Sequence, residues 1–61
     1  MIDLKEKRTE AGLTQAQLAE KCHVVRTTIC EIERGVNRPS IETAKRIGEV
    51  LGFDWPKFFE E

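Results

Sequence analysis

Residues Thr14–Gly35, TQAQLAEKCHVVRTTICEIERG, decide which fold this sequence can adopt. Thr14 can cap a helix, because its hydroxyl can accept from the amide of Gln17 while the Gln17 side chain reaches back to the Thr14 amide. The run that follows contains no glycine, proline or β-branched residue before His23. The sequence therefore predicts a helix over residues 15–22.

A second short helix is predicted from Arg26 to Arg34. It should end at Gly35, which can adopt the left-handed conformation of a helix C-cap. Only residues 23–25 separate the two helices, and Ala19 is small enough to let them cross at close range. The facing apolar residues are Leu18, Ala19 and Cys22 before the turn, and Val24, Ile29 and Ile32 after it. This arrangement is typical of a helix-turn-helix.

A series of short motifs in fixed order makes the prediction more specific. The motifs are Leu13-Thr14-Gln15, Leu18-Ala19, Ile29, Ile32-Glu33-Arg34-Gly35 and Arg38-Pro39-Ser40-Ile41. Together they resemble the phage repressor and Cro family, also called the xenobiotic-response-element family, over about Leu4 to Phe59. The chain departs from the family at three positions. His23 stands where the family has glycine in the turn, Val25 where it has a serine or threonine cap, and Lys7 where it has an apolar residue.

The rest of the chain predicts three further helices. The first covers Ile2 to Ala11, with Leu4 and Ala11 buried and Lys7 extending its ammonium to solvent. The fourth covers Ile41 to Leu51 after a Ser40 cap, and a last short helix covers Trp55 to Glu60 after an Asp54 cap. The predicted buried stripe of the fourth helix is Ile41, Ala44, Ile47 and Leu51. We therefore expect an all-α fold of five short helices, a λ-repressor-like DNA-binding domain with the helix-turn-helix at helices 2 and 3.

Length and composition restrict the class of protein. Sixty-one residues form one domain, which we expect to span residues 1–61. Hydrophobic residues make up 39% and charged residues 34%, and no apolar run approaches the about 18 residues of a membrane span. We expect a cytoplasmic protein without a signal peptide. The net charge of −1 is low for a nucleic-acid-binding protein, but residues 1–38 carry seven basic and six acidic side chains, so the basic excess lies on the helix-turn-helix half.

Neither metal nor cofactor is expected. Cys22 and Cys30 fit a reducing compartment, and with His23 as the only histidine their spacing matches no zinc site. We expect Cys22 to be packed and Cys30 to be half-exposed. An enzyme is disfavoured, because the sequence offers no nucleophile with a partnering base, no paired carboxylates and no phosphate-binding glycine loop.

The outer face of the predicted recognition helix carries the candidate base-reading residues. Arg26 can form a bidentate hydrogen bond to guanine, Thr27 and Thr28 can contact a thymine methyl or a phosphate, and Glu31 can accept from a cytosine amino group. Gln15 opens helix 2, where free amides favour a phosphate. Asn37 and Arg38 lie in the following loop and should contact the DNA backbone. The seven predicted DNA-binding residues are Gln15, Arg26, Thr27, Thr28, Glu31, Asn37 and Arg38.

The resemblance adds two contacts. It implies that Arg8 pairs with Glu33 and ties helix 1 to the recognition helix, either as fold support alone or with an additional phosphate contact. It also implies that Gln15 braces Arg26.

The chain is expected to act as a homodimer on an inverted-repeat DNA site, because one domain reads too few base pairs for selectivity. Phe53 and Phe58 should fill the core, whereas Trp55 or Phe59 is a candidate for a dimer contact. We predict that the chain is a transcriptional regulator that binds double-stranded DNA in a sequence-specific way, and we favour a repressor over an activator. The alternative is a protein-interaction module or antitoxin with the same fold, which the near-neutral charge and Glu31 favour.

Overall fold

The computed structural model describes residues 3–59, which form four α-helices followed by one short 3-10 helix. The α-helices are α1 (Leu4–Glu10), α2 (Gln15–Cys22), α3 (Arg26–Arg34) and α4 (Ile41–Leu51). The all-α class and the helix-turn-helix at α2 and α3 confirm the sequence prediction. The predicted count of five helices is one too high, because Trp55–Phe59 forms a 3-10 helix. Five residues that include Pro56, which has no amide hydrogen, offer few bonds to an α-helix.

Helix α1 ends at Glu10, one residue before the predicted end at Ala11. The side chain of Asp3 accepts from the amide of Glu6 at 3.1 Å, so Asp3 is the N-cap and not part of the first turn. The predicted start at Ile2 and the predicted end of the last helix at Glu60 lie outside the described residues. Ala11 is the exposed C-cap of α1, so its predicted place in the buried stripe is wrong. One residue beyond the last helical turn, its methyl group no longer follows the buried face.

The predicted capping box at the start of α2 is confirmed. The amide of Gln17 donates to Thr14 Oγ1 at 3.1 Å, and the amide of Thr14 donates to Gln17 Oε1 at 2.9 Å. At the other end, His23 has a φ of 59°, the left-handed conformation usually taken by glycine. The turn therefore keeps its backbone geometry although its residue differs from that of the family.

Helices α3 and α4 differ in how they begin. Val25 is extended and makes no side-chain hydrogen bond to α3, as its apolar side chain predicts. The Ser40 hydroxyl accepts from the amide of Thr43 at 3.2 Å, which confirms the predicted cap of α4. The amides at the start of α3 therefore lack side-chain acceptors, whereas the start of α4 is capped.

The core lies between the four α-helices and the 3-10 helix. Its buried apolar residues are Leu4, Leu18, Ala19, Cys22, Ile29, Ile32, Ala44, Ile47 and Phe58. Ile41 is 58% exposed, so the prediction that it joins the buried stripe is wrong. It opens the first turn of α4, and the first core residue on that helix is Ala44. Cys22 is buried and Cys30 is partly exposed, as predicted.

The four aromatic residues pack in two pairs at the C-terminal end. The rings of Phe53 and Phe58 meet edge to face with their centroids 5.3 Å apart. The rings of Trp55 and Phe59 do the same at 6.1 Å. Phe58 is buried and the other three are partly buried against the core, so neither Trp55 nor Phe59 is left fully exposed. Within residues 3–59, no helix is long and apolar enough to cross a membrane.

Candidate nucleic-acid interface

The outward face of α3 is polar from its first residue. Arg26 and Thr27 are exposed, and Thr28 and Glu31 are partly exposed. On the opposite face, the core residues Ile29 and Ile32 fix the rotation of the helix. The apolar spacing that anchors α3 thus determines which polar side chains point away from the protein.

Gln15, the first residue of α2, contacts side chains from both ends of α3. Its Oε1 accepts from Arg26 Nη1 at 3.4 Å, and its Nε2 donates to Glu33 Oε1 at 3.1 Å. The contact between Gln15 and Arg26 is the one that the family resemblance implies. It places an amide and a guanidinium side by side at the exposed N-terminal end of α3.

Arg8 is buried and joins α1 to α3. Its Nε donates to Glu33 Oε2 at 2.6 Å, its Nη2 donates to Glu33 Oε1 at 3.3 Å, and its Nη1 donates to the Leu13 carbonyl at 2.8 Å. The hydrogen bond with Glu33 raises the pKa of Arg8, although burial acts in the opposite direction. The implied Arg8–Glu33 pair is confirmed. Because all three guanidinium nitrogens are engaged inside the protein, these contacts favour the fold-supporting role over a phosphate contact.

Glu31 and Asn37, both predicted DNA-binding residues, bond to each other. Asn37 Nδ2 donates to Glu31 Oε2 at 2.7 Å. The loop backbone folds back on the same residue, since the amide of Val36 donates to the Glu31 carbonyl at 3.0 Å. One oxygen of the Glu31 carboxylate is therefore engaged by the loop, while Glu31 stays partly exposed.

A cleft separates the end of α3 from the start of α4. Its polar rim is formed by Thr28, Glu31, Asn37, Arg38, Ser40 and Thr43. Arg38 is exposed, and the buried Pro39 follows it. The cleft brings four of the seven predicted residues together, whereas Gln15, Arg26 and Thr27 are not part of its lining.

Sequence reasoning missed two features of this surface. Ser40 and Thr43 share the cleft, with a hydrogen bond of 2.9 Å between their hydroxyls, whereas the sequence pattern predicts only the capping role of Ser40. The bond from Gln15 to Glu33 joins residues eighteen positions apart. The sequence carries no local pattern for such a contact, and only the family's Arg8–Glu33 pair placed Glu33 near this end of the molecule.

The chain belongs to the helix-turn-helix family. The family match covers residues 4–58, nearly all of the described region. This assignment agrees with the resemblance to phage repressors and Cro proteins that the motifs indicated.

Several proteins are similar in sequence. The uncharacterized HTH-type transcriptional regulator YqaF of Bacillus subtilis (strain 168) is 45% identical over 58 residues, which cover 95% of this chain and 76% of that protein. An uncharacterized HTH-type transcriptional regulator of Methanothermobacter thermautotrophicus is 47% identical over 49 residues, 80% of this chain and 71% of that protein. The immunity repressor protein of Bacillus phage phi105 is 41% identical over 49 residues, 80% of this chain but 34% of the repressor.

Proposed function

We propose that this chain is a sequence-specific transcriptional repressor that reads the major groove of double-stranded DNA with α3. That it is a DNA-binding transcriptional regulator follows from its family and from the names of its relatives. The observation that carries the finer proposal is the exposed start of α3, where Gln15 accepts from Arg26. A B-DNA major groove admits one α-helix, and such helices enter by their N-terminal residues.

The predicted residues divide into two roles. Arg26 and Thr27 lie at the leading end of α3 and would meet base edges, while Thr28 and Glu31 lie further along the same helix. Arg38 is exposed in the loop after α3 and would contact the phosphate backbone, as would the exposed start of α2. Asn37 donates to Glu31, so its proposed role includes holding that carboxylate beside the groove.

We further propose that the chain acts in the cytoplasm as a homodimer on an inverted repeat. A single α3 reaches only a few base pairs, and pairing two copies by a two-fold axis doubles the sequence read. Repression would follow from occlusion of a promoter. This function requires neither catalysis nor a cofactor.

A second candidate is a protein-interaction module or antitoxin with the same fold. Two large apolar side chains favour it, because Val36 and Ile41 are each 58% exposed. The net charge of −1 also weakens the attraction to DNA. Against it stands the polar face of α3, on which Arg26 and Thr27 are exposed.

Selection from a pool of random DNA duplexes at about 50 mM salt separates the two candidates. The proposed repressor should enrich an inverted repeat, and the enriched duplex should be retained in a gel shift. Arg26→Ala should reduce the preference of the protein for the enriched sequence over other sequences. Lys57→Ala, which removes one exposed positive charge from the 3-10 helix and not from a predicted DNA-binding residue, is the matched control and should keep the preference. If no sequence is enriched and no duplex is retained, the repressor proposal is wrong and the interaction module is favoured.

A further inference from the structure

Glu33 makes more contacts than an ion pair with Arg8 requires. Its side chain is 5% exposed, and its Oε1 receives a second donor, Nε2 of Gln15, at 3.1 Å. Gln15 in turn accepts from Arg26 at 3.4 Å through its own oxygen. A continuous series of hydrogen bonds therefore runs from the buried ion pair to the exposed start of α3.

The chemistry of these groups fixes the direction of each bond. A carboxylate in an ion pair has only acceptor atoms, so Gln15 can approach Glu33 only with its amide NH2 group. The amide oxygen of Gln15 must then face the other way, toward Arg26. A guanidinium has only donors, so it can bond to that oxygen but could not bond to an NH2 group in its place.

We propose that Glu33 is a positioning residue for DNA reading: it sets the orientation of the Gln15 amide and thereby holds the Arg26 guanidinium in place for a base contact. This inference rests on the proposed function, since it assigns Arg26 to base reading. It gives the buried Arg8–Glu33 pair a role beyond joining α1 to α3. Arg8 holds the Glu33 carboxylate with two hydrogen bonds, so Arg8 acts through Glu33 on the same amide.

The alternative role for Glu33 is purely structural. In that case, Glu33→Gln would lower the stability of the fold and the affinity for all DNA sequences together. The proposed role predicts a different result. A glutamine at position 33 presents both a donor and an acceptor, so the Gln15 amide loses its fixed orientation and Arg26 becomes more mobile.

The first test uses the free protein and needs no DNA. Nuclear magnetic resonance should detect a through-hydrogen-bond coupling between Gln15 Nε2 and the Glu33 carboxylate carbon in the unsubstituted chain. The order parameter of the Arg26 side-chain Nε–H should fall in Glu33→Gln and in Gln15→Ala. Glu42→Gln is the matched control: it makes the same charge change and breaks the exposed ion pair between Glu42 and Arg46. It should leave the mobility of Arg26 unchanged.

The second test measures discrimination on the DNA site enriched by the unsubstituted chain. Arg26→Ala first identifies the base pair that Arg26 reads. Glu33→Gln should then lower the preference at that base pair by about fivefold, with smaller changes elsewhere in the site. Glu42→Gln should keep the full preference. Gln15→Ala, which leaves the buried ion pair intact, should reproduce the loss even if Glu33→Gln does not fold.

The two tests fail in distinguishable ways. Absence of the Gln15–Glu33 coupling, or unchanged Arg26 mobility in both variants, overturns the inference whatever the DNA experiments give. The same holds if folded Glu33→Gln binds with its preference intact. If instead the free-protein results are as expected but the unsubstituted chain enriches no sequence, the proposed function is wrong, and the assignment of Arg26 to base reading falls with it.

Discussion

Gly48 is the residue at which α4 comes closest to the 3-10 helix. A Cβ atom at this position would lie 2.7 Å from the carbonyl oxygen of Phe53 and 3.3 Å from Cβ of Trp55. The first contact is to backbone, which cannot rotate away as the end of a flexible side chain can. Glycine is therefore required here because α4 and the 53–55 backbone approach closely. This requirement outweighs the loss of stability that glycine usually causes within a helix.

We predict that Gly48→Ala destabilises the protein. Alanine gains about 1 kcal/mol in helix preference, but the enforced shift of the 53–55 backbone costs about 1–3 kcal/mol. The midpoint of thermal unfolding should fall by roughly 5 °C. Glu49→Ala, an exposed neighbour in the same helix, is the control and should change the midpoint little. A higher midpoint for Gly48→Ala would mean that the turn adapts freely.

The buried thiol of Cys22 should make the free energy of unfolding decrease with rising pH in alkaline solution. Burial raises the pKa of its thiol, and the nearby charge of Arg46 opposes part of that shift. In the unfolded chain the thiol ionises near pH 8.5. A higher pKa in the folded state means that the folded protein holds its proton more tightly. The contribution of the thiol is therefore fully present below about pH 8.5 and is lost as the pH rises above it.

The measurement compares the unsubstituted chain with Cys22→Ala by urea unfolding at several pH values. The free energy of unfolding of the unsubstituted chain should fall more steeply above pH 8.5 than that of Cys22→Ala. Parallel curves for the two proteins would show that burial of Cys22 does not penalise its thiolate.

At the scale of the helices, α3 lacks the side-chain hydrogen bond that usually caps the start of a helix. Its N-cap position is Val25, which is extended, 67% exposed and makes no side-chain hydrogen bond. A serine in the same backbone conformation can accept from an amide of the first turn. We predict that Val25→Ser raises the free energy of unfolding by about 1 kcal/mol, and the unfolding midpoint by about 4–8 °C.

A matched control for this prediction is Val36→Ser. Val36 is also a largely exposed valine, but it follows α3 and cannot cap its start. It should leave the midpoint nearly unchanged. Equal gains from the two substitutions would attribute the effect to lost surface hydrophobicity and not to capping.

The helices show how far the sequence can predict this structure. Capping residues act over three or four positions, so Thr14, Ser40 and Gly35 marked their helix ends correctly. Periodicity alone was a poorer guide at helix ends. Ile41 fits the apolar spacing of α4 but lies in its first turn and is exposed, because burial depends on where the neighbouring helices end.

The sequence predicted that the polar face of α3 is exposed, but it did not predict two of the contacts made by the candidate residues. The outward face of α3 followed from the positions of Ile29 and Ile32, which fix its rotation. The bond from Asn37 to Glu31 depends on the path of the loop after α3, and the bond from Gln15 to Glu33 depends on the crossing of α2 and α3. A short sequence motif specifies neither the path of that loop nor the angle at which α2 and α3 cross.

At the scale of the whole molecule, the exposed Arg26 and Arg38 should make different contributions to DNA binding. Arg26 is placed at the leading end of α3, whereas Arg38 lies in the loop. We predict that Arg26→Ala relaxes the preference at one base pair by about 1–3 kcal/mol. Arg38→Ala should weaken binding to all sequences alike and reduce the slope of log affinity against log salt by about one. Competition and salt titrations measure both. If the two substitutions behave alike, this division of roles is wrong.

The dimensions of the described region limit how two copies can bind one DNA site. Its Cα atoms extend over 26 × 21 × 19 Å. Half-sites one helical turn apart are separated by about 34 Å, so two copies centred on them can share only a narrow contact. Because a small contact supplies little binding energy, we expect the free protein to be monomeric and to pair only on the DNA.

This geometry makes the spacing of the half-sites a direct test of the proposed dimer. On the selected inverted repeat, the two copies should bind cooperatively. Insertion of about five base pairs between the half-sites turns one of them to the opposite face of the duplex, which should abolish the cooperativity. Each half-site should then bind with the affinity of an isolated one, as measured by gel shift with single half-site duplexes as the control. Analytical ultracentrifugation of the free protein at micromolar concentration should show a monomer. A stable dimer without DNA, or cooperativity that survives the insertion, would require a larger interface than these dimensions allow or a flexible connection between the copies.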